Sequence, residues 1–550
     1  MPETKSNSKF IIPALGAALV VVGGIAAYIY FNKGPSGDGS GVMASAKIIP
    51  DDAYAAAYIT TDPQVWRKLR QFGTPEAQKQ IEKLIETNLQ SLVNQPGSND
   101  ISYEKDLKPW VGGVTLAWMP EGEKKVNGNM LMVVGIKDKV NALNFSNKLK
   151  SLKGAQTKEV DYKGQKIIEA GSESPMKYSV VLGDYAVLAP EKQTIEQAID
   201  TFKGEPSFAS KKDVNSLLSK GLGVANPIAQ IYLPDYAKDI QKLIQNNPQG
   251  KQLSSETLKQ AELVKSMVAG VGIDDKGLRV KAMAALNPEI NNIEYQNTGN
   301  KIVGLFPSET IALISGQGIS KWWSAVVQQS KNNPEINQGV QQGRQQMQNL
   351  NLDLDKDVFA WMDGEFGFAL IPADKGFAAN FGFGPALMLQ TSDRKTAENT
   401  FTKLDDIAKQ KLQFPFNVSQ KDVGSKKVTE WSIPQQEALL THGWLDDKTA
   451  FIALGSPVAE AIITPKGANL ESSDKFKDIT GTLQKPNLGY FYVDMDKTMT
   501  IFNRFTQGQN FLSPEAMAIV SSINGIGVTG STPDKSNSQL EILLSLKQKK

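Results

Sequence analysis

The stretch PWVGGVTLAWMP, Pro109–Pro120, returns in altered form as AWMDGEFGFALIP, Ala360–Pro372. Each has a Trp, a Gly-containing turn and an apolar run closed by Pro. Working outward, IPDDAYAAAYITTDPQVW from Ile49 lies on FPSETIALISGQGISKWW from Phe306 without a gap, pairing Pro50 with Pro307 and Trp66 with Trp323. Asp106 and Trp110 pair with Asp357 and Trp361, Gly113 with Gly364, and Pro120 with Pro372 after one insertion. Further on, Asp138, Ala142 and Lys148 pair with Asp393, Ala397 and Lys403. GVGI, with Gly270 and Gly272, pairs with GIGV, with Gly525 and Gly527. The matches keep their order over a whole half-chain, which reads as one domain-sized unit duplicated in tandem.

Within a unit the pattern alternates between strand and helix signals. AYAAAYIT, GGVTLAWMP and NMLMVVGI are apolar runs of strand length. KEVDYKGQKIIEA and KYSVVLGDYAVLA carry Lys-Gly and Gly-Asp between apolar runs, which predicts hairpins. DKVNALNFSNKLKSL opens on an Asp cap, and EKQTIEQAIDTFKG closes on Gly204, so both are expected as helices. Strands meeting mostly through hairpins, with helices between, predict an α+β fold with antiparallel or mixed sheets and helices packed on one side. The repeated glycines of GVGI and GIGV are expected where another segment approaches the strand closely.

The first residues add a further expectation. Phe10–Phe31, FIIPALGAALVVVGGIAAYIYF, carries no charge, and at ~1.5 Å per residue it is long enough to cross a hydrocarbon core of ~30 Å. Lys5 and Lys9 precede it, which favours a cytoplasmic N-terminus and an exported body. ASA, Ala44–Ala46, has the pattern of a signal-peptidase site, but it lies beyond the Gly/Ser-rich NKGPSGDGSG. The expected organisation is a cytoplasmic tail 1–9, a single transmembrane anchor 10–31, a flexible linker 32–45, a first repeat domain 46–290 and a second 301–548.

Composition excludes several chemistries. The 550 residues contain no Cys and one His, His442, so thiolate nucleophiles, Cys-ligated metals and multi-histidine sites are absent. A net charge of +2 gives no global field for nucleic acid. SGQGISKWW has Gly-x-Gly but lacks the rest of a dinucleotide or phosphate loop. Asp494 and Asp496 in DMD, and Asp363 and Glu365 in DGE, are the carboxylate pairs that acid–base chemistry or a divalent ion would use. Asp494 and Asp496 are the weak candidates for a metal or catalytic site, and no cofactor is expected. Trp118 and Trp444 have no counterpart in the other half and are free to serve as surface anchors.

The N-terminal apolar run, the IIPDDAYAAAYITTDPQVW opening and DLKPWVGG together resemble a bacterial family of uncharacterised membrane-anchored proteins, prominent in cyanobacteria. The resemblance implies location and host range, with the body in the periplasm or thylakoid lumen. It carries over no activity and no functional residue. Three functions are therefore expected in descending order. The first is a non-enzymatic, membrane-tethered binding or scaffold protein with protein partners in the membrane or envelope. The second is a carrier or chaperone for a lipid or pigment. The third is a carboxylate-dependent envelope hydrolase.

Overall fold

The computed structural model describes residues 42–549 apart from 81–102, 121–128, 152–157, 170–175, 212–213, 215–221, 246–254, 290–295, 332, 411–415, 434–436 and 507–511. The chain divides into two compact units. One is 1–290 with Ser536–Gln539 and Gln548–Lys550, and the other is Asn291–Lys535 with Leu540–Lys547.

The first unit contains β1 (Ala55–Ile59), β2 (Val111–Trp118), β3 (Met130–Ile136), β4 (Lys158–Tyr162), β5 (Gln165–Glu169), β6 (Tyr178–Leu182), β7 (Tyr185–Ala189), β8 (Pro227–Leu233), β9 (Val264–Asp274) and β10 (Gly277–Leu286). They pair in the order β4-β5-β6-β7-β3-β2-β1-β8-β9-β10. The β4–β5 turn places Lys163 and Gly164 at positive φ, the conformation a two-residue hairpin needs.

The second unit contains β11 (Ala312–Gln317), β12 (Glu365–Pro372), β13 (Phe383–Gln390), β14 (Asn417–Val423), β15 (Lys426–Ser432), β16 (Ala438–Trp444), β17 (Thr449–Leu454), β18 (Tyr490–Asp494), β19 (Ile523–Asp534) and β20 (Asn537–Leu546). Their order, β14-β15-β16-β17-β13-β12-β11-β18-β19-β20, repeats that of the first unit strand for strand.

Three expectations are corrected. Every register among these strands is antiparallel, so the sheets are not mixed. Hairpins join most neighbours, and such joints impose antiparallel pairing. Helices also pack on both faces rather than one. In the second unit, the helices Ser456–Ile463 and Asp474–Thr480 bury Val458, Ile462, Phe476 and Ile479 with Leu313, Ala369, Phe451 and Tyr492 on one face. The helix Arg394–Gln410 buries Ala397 and Phe401 with Leu389 and Ala450 on the other.

The third correction concerns the membrane. No helix among the described residues is long and apolar enough to cross one. The longest described helix, Arg394–Gln410, has 17 residues and is rich in charge, against the ~20 apolar residues a span requires. The stretch Phe10–Phe31 lies outside the described residues. The structure therefore gives the fold no N-terminal transmembrane helix. Single-pass topology, a membrane partner through that helix and a body assigned to periplasm or thylakoid lumen are without support in it. The end of the expected linker is itself built in: Val42–Ala46 forms a short helix, and buried Ser45 accepts a 2.7 Å hydrogen bond from Thr115 Oγ1.

Candidate functional site

Directly paired residues in an antiparallel sheet project to the same face. Following one line of pairs across the first unit gives Leu188, Met132, Leu116, Ala57, Ile231, Ala269 and Ala282. The corresponding line in the second unit is Ile452, Leu387, Phe368, Ile314, Phe491 and Val528. Ile452 and Leu387 pack beneath the helix Arg394–Gln410 with Phe401. Beyond them the face opens.

There the two units differ sharply. Ala57 and Ile231 are each 1% exposed, whereas Ile314 and Phe491, at the same places in the line, are 47% and 39% exposed, and Phe368 is 41% exposed. The neighbouring positions on this face are Leu370, Ala312 and Val493, all half-buried. No charged, amide or hydroxyl side chain occurs on this face of β11, β12 or β18. The polar residues of these strands, Ser315, Glu365 and Asp494, are all buried at alternate positions. Glu365 accepts hydrogen bonds from Thr298 Oγ1 (2.8 Å) and the Ile302 backbone N–H (2.7 Å), and Ser315 Oγ accepts from Tyr490 N–H (3.0 Å). The usual arrangement of a one-sided sheet, apolar inside and polar toward water, is therefore inverted. Each of the three exposed side chains leaves roughly 1 kcal/mol of possible apolar burial unused.

Two helices account for the contrast. In the first unit, Pro63–Leu69 packs on β8 and β9 and buries Trp66 and Leu69. Tyr236–Gln245 also packs on β8 and β9, and its Tyr236 and Ile240 are buried. In the second unit, Ile319–Ser330 packs instead on the helix Pro334–Asn349 and on the turn Leu354–Phe359. Trp323 stacks on Phe359 with centroids 4.4 Å apart, and its Nε1 donates to Asp355 Oδ1 at 2.8 Å. Arg344 binds the same carboxylate through two nitrogens, which with burial opposing holds its pKa below the ordinary value. Met495–Phe505 follows β18 and buries none of its residues.

The other matched residues are structural. Trp110 and Trp361 are buried, and each indole donates four residues back, to Asp106 O (2.8 Å) and Asp357 O (2.9 Å). The carboxylates of Asp106 and Asp357 bind Lys148 and Lys403, both at 2.7 Å. Pro50 and Pro307 each form an isolated bridge, with Ser207 and Asn469. A Cβ on Gly270 would lie 2.6 Å from Leu222, and one on Gly272 would lie 2.3 Å from Ala225 O. The same addition at Gly525 and Gly527 would lie 2.1 Å and 2.5 Å from Ile479 atoms. A Cβ on Gly113 would enter the Tyr58 ring, and one on Gly364 would meet Gln390. Trp444 is not a free surface anchor: Phe401 meets it edge-on and the Arg394 guanidinium lies 4.2 Å above it. Trp118 is half-buried in β2, opposite Met130 and Ala55.

The acidic candidates lie together at the start of Met495–Phe505. Asp494 is buried and caps the helix by accepting from the Asp496 and Lys497 N–H groups. Asp496 binds Lys475 at 2.6 Å and Lys547 at 2.7 Å. Burial alone pushes the Asp496 carboxyl up, but the two lysines outweigh it and hold the pKa below the ordinary value. A carboxylate so held suits a cap and an ion cluster, since a general acid at neutral pH needs the opposite shift. Asp363 accepts from Ser392. His442 Nε2 donates to Asp405 Oδ1 at 2.8 Å, with Phe401 stacked on the imidazole and Trp431 bound to the same carboxylate. No hydroxyl among the described residues hydrogen-bonds to His442, and no group of three or more His, Asp or Glu among them is placed to hold a metal ion.

The chain belongs to the family described as protein of unknown function DUF3352, whose model matches residues 14–546. No curated protein matches it in sequence. Solved structures similar to it include crystal form III of TP0453, at 10% identity over 46% of this chain and 89% of that one. Crystal form IV of the same protein is 10% identical over 45% and 83%, and form I is 9% identical over 46% and 88%. The TM-score is 0.26 in all three.

Proposed function

We propose that the second unit binds an elongated apolar chain, such as the acyl chain of a lipid, against the open face of β12, β11 and β18, and that the protein acts as a carrier for such a ligand. The observation behind this reading is the uninterrupted apolar floor around Phe368, Ile314 and Phe491, exposed where the sister unit is filled. Exposed apolar surface of this kind marks a binding site in soluble folds. The line from Leu387 to Val528 crosses five strands, ~19 Å at ~4.8 Å per strand, which suits a long chain better than a small metabolite. A protein partner is the weaker match. Protein interfaces carry about one hydrogen bond per ~100–200 Å², and this floor offers no side-chain donor or acceptor.

The test is purification of the full chain under mild extraction, with native mass spectrometry and titration with a fluorescent polyene fatty acid. The expected result is a co-purifying apolar species, or saturable uptake of the probe, weakened at least tenfold by Phe368→Asp or Phe491→Asp. Equal uptake by wild type and both variants would sink the reading. Specific capture of a protein on this face, with no apolar ligand, would return the scaffold reading to first place.

A further inference from the structure

We infer that the helix Met495–Phe505 is a lid that closes over a chain bound on the open face, an inference that rests on the carrier reading above. Its counterpart by position in the fold is Tyr236–Gln245, which follows β8 as Met495–Phe505 follows β18. Tyr236 and Ile240 are buried in that counterpart. The first unit thus displays the lowered position of this element over a floor of small residues, Ala57 and Ala269 among them.

In the second unit the same element is raised. Met495, Met499, Phe502 and Phe505 recur at the spacing of one helical face, yet none of them is buried, and Phe505 is 53% exposed. The stripe is turned toward the side of the sheet that carries the floor. Phe505 lies edge-on to Phe383, with centroids 6.5 Å apart, and Phe383 shares that side with Leu387 by strand alternation. The helix is held at its two ends by polar contacts. Lys497 Nζ donates to Ser308 O at 3.0 Å, and Arg504 Nη2 donates to Ala379 O at 2.8 Å. An element fixed by end tethers, with an apolar stripe lacking a buried partner, is among the least stable parts of a fold and the first to move. A chain laid along Phe368, Ile314 and Phe491 supplies the missing partner. Lowering the helix onto it removes the stripe and the ligand from water together.

Hydrogen exchange on the full chain, with and without the fluorescent fatty acid, tests this. Loading should slow exchange of the amides in Met495–Phe505 severalfold and leave Tyr236–Gln245 unchanged. Phe505→Ala removes part of the stripe from a side chain the fold does not need, and should raise the probe's dissociation rate several-fold. Saturable binding that Phe368→Asp abolishes, with no protection of Met495–Phe505 and no change in dissociation for Phe505→Ala, overturns the lid and leaves the carrier standing. Absence of binding overturns both.

Discussion

The two units carry the same ten-strand order, yet the same face of the sheet is finished in one and bare in the other. Around Ala57 the first unit uses small residues, and two helices lie close enough to bury Trp66 and Tyr236. Around Ile314 the second unit uses Phe368 and Phe491, and the corresponding helices bury almost nothing. Bulk on a strand face is ordinarily a way of filling a core. Here greater bulk accompanies less burial, which separates the requirements of folding from those of a surface kept for something else.

Substitution at equivalent places should break the symmetry most visibly. Ala57→Asp places a charge where no water reaches and should cost at least ~3 kcal/mol of stability, read from urea unfolding. Ile314→Asp, at the matching place, should change stability by less than ~0.5 kcal/mol. Comparable losses in both would mean that the second face is closed in solution. Trp110→Ala and Trp361→Ala should each cost ~3–5 kcal/mol, because both indoles fill cores and satisfy the same carbonyl. A large loss at only one would show that the shared motif has been retained unequally.

Backbone proximity gives a smaller effect. Gly527→Ala sets a methyl group against Ile479 O and should cost ~1–3 kcal/mol, matched by Gly272→Ala against Ala225 O. Acidity gives the comparison a further edge, because Asp239 of the first unit has no acidic equivalent in the stripe of Met495–Phe505. Burial raises the Asp239 carboxyl to about 7, with the charge of Asp235 adding to it and the Asp235 N–H, Lys211 and Lys242 opposing it. The folded state then holds a proton that the unfolded state has released, so stability should fall as pH rises from about 4 to about 7. Asp239→Asn should flatten that slope in a series of unfolding curves. Retention of the full slope in the variant would assign it to another group.

Much of this fold was legible in the sequence, for identifiable reasons. The duplication showed because Trp110 and Trp361 each need the same carbonyl, and the GVGI and GIGV glycines each leave space for a passing segment. Hairpins such as β4–β5 showed because Lys163-Gly164 must take positive φ. The open face was less legible. FGFALIP and EILLSL look like ordinary buried strands, since an apolar residue at every second position does not say whether anything will cover it. A signal was present in the buried partners: Glu365 and Ser315 lie on the inner face, so the apolar residues between them must point outward. The acidic DMD pair misled for a related reason, because spacing shows that two carboxylates are near each other but not that Lys475 and Lys547 already neutralise one of them.

The order of the strands has a kinetic consequence. In each unit the first strand to emerge is central in the sheet, and one of its two neighbours arrives very late. Ser315 of β11 and Tyr490 of β18, which share a hydrogen bond, are 175 residues apart. Closing so large a loop comes before any reward from pairing, so the relative contact order is high and folding is expected to be slow. During synthesis the ALISGQ strand waits with one side unpaired while most of its unit is still being made, which makes this nascent chain a natural client for a holding chaperone.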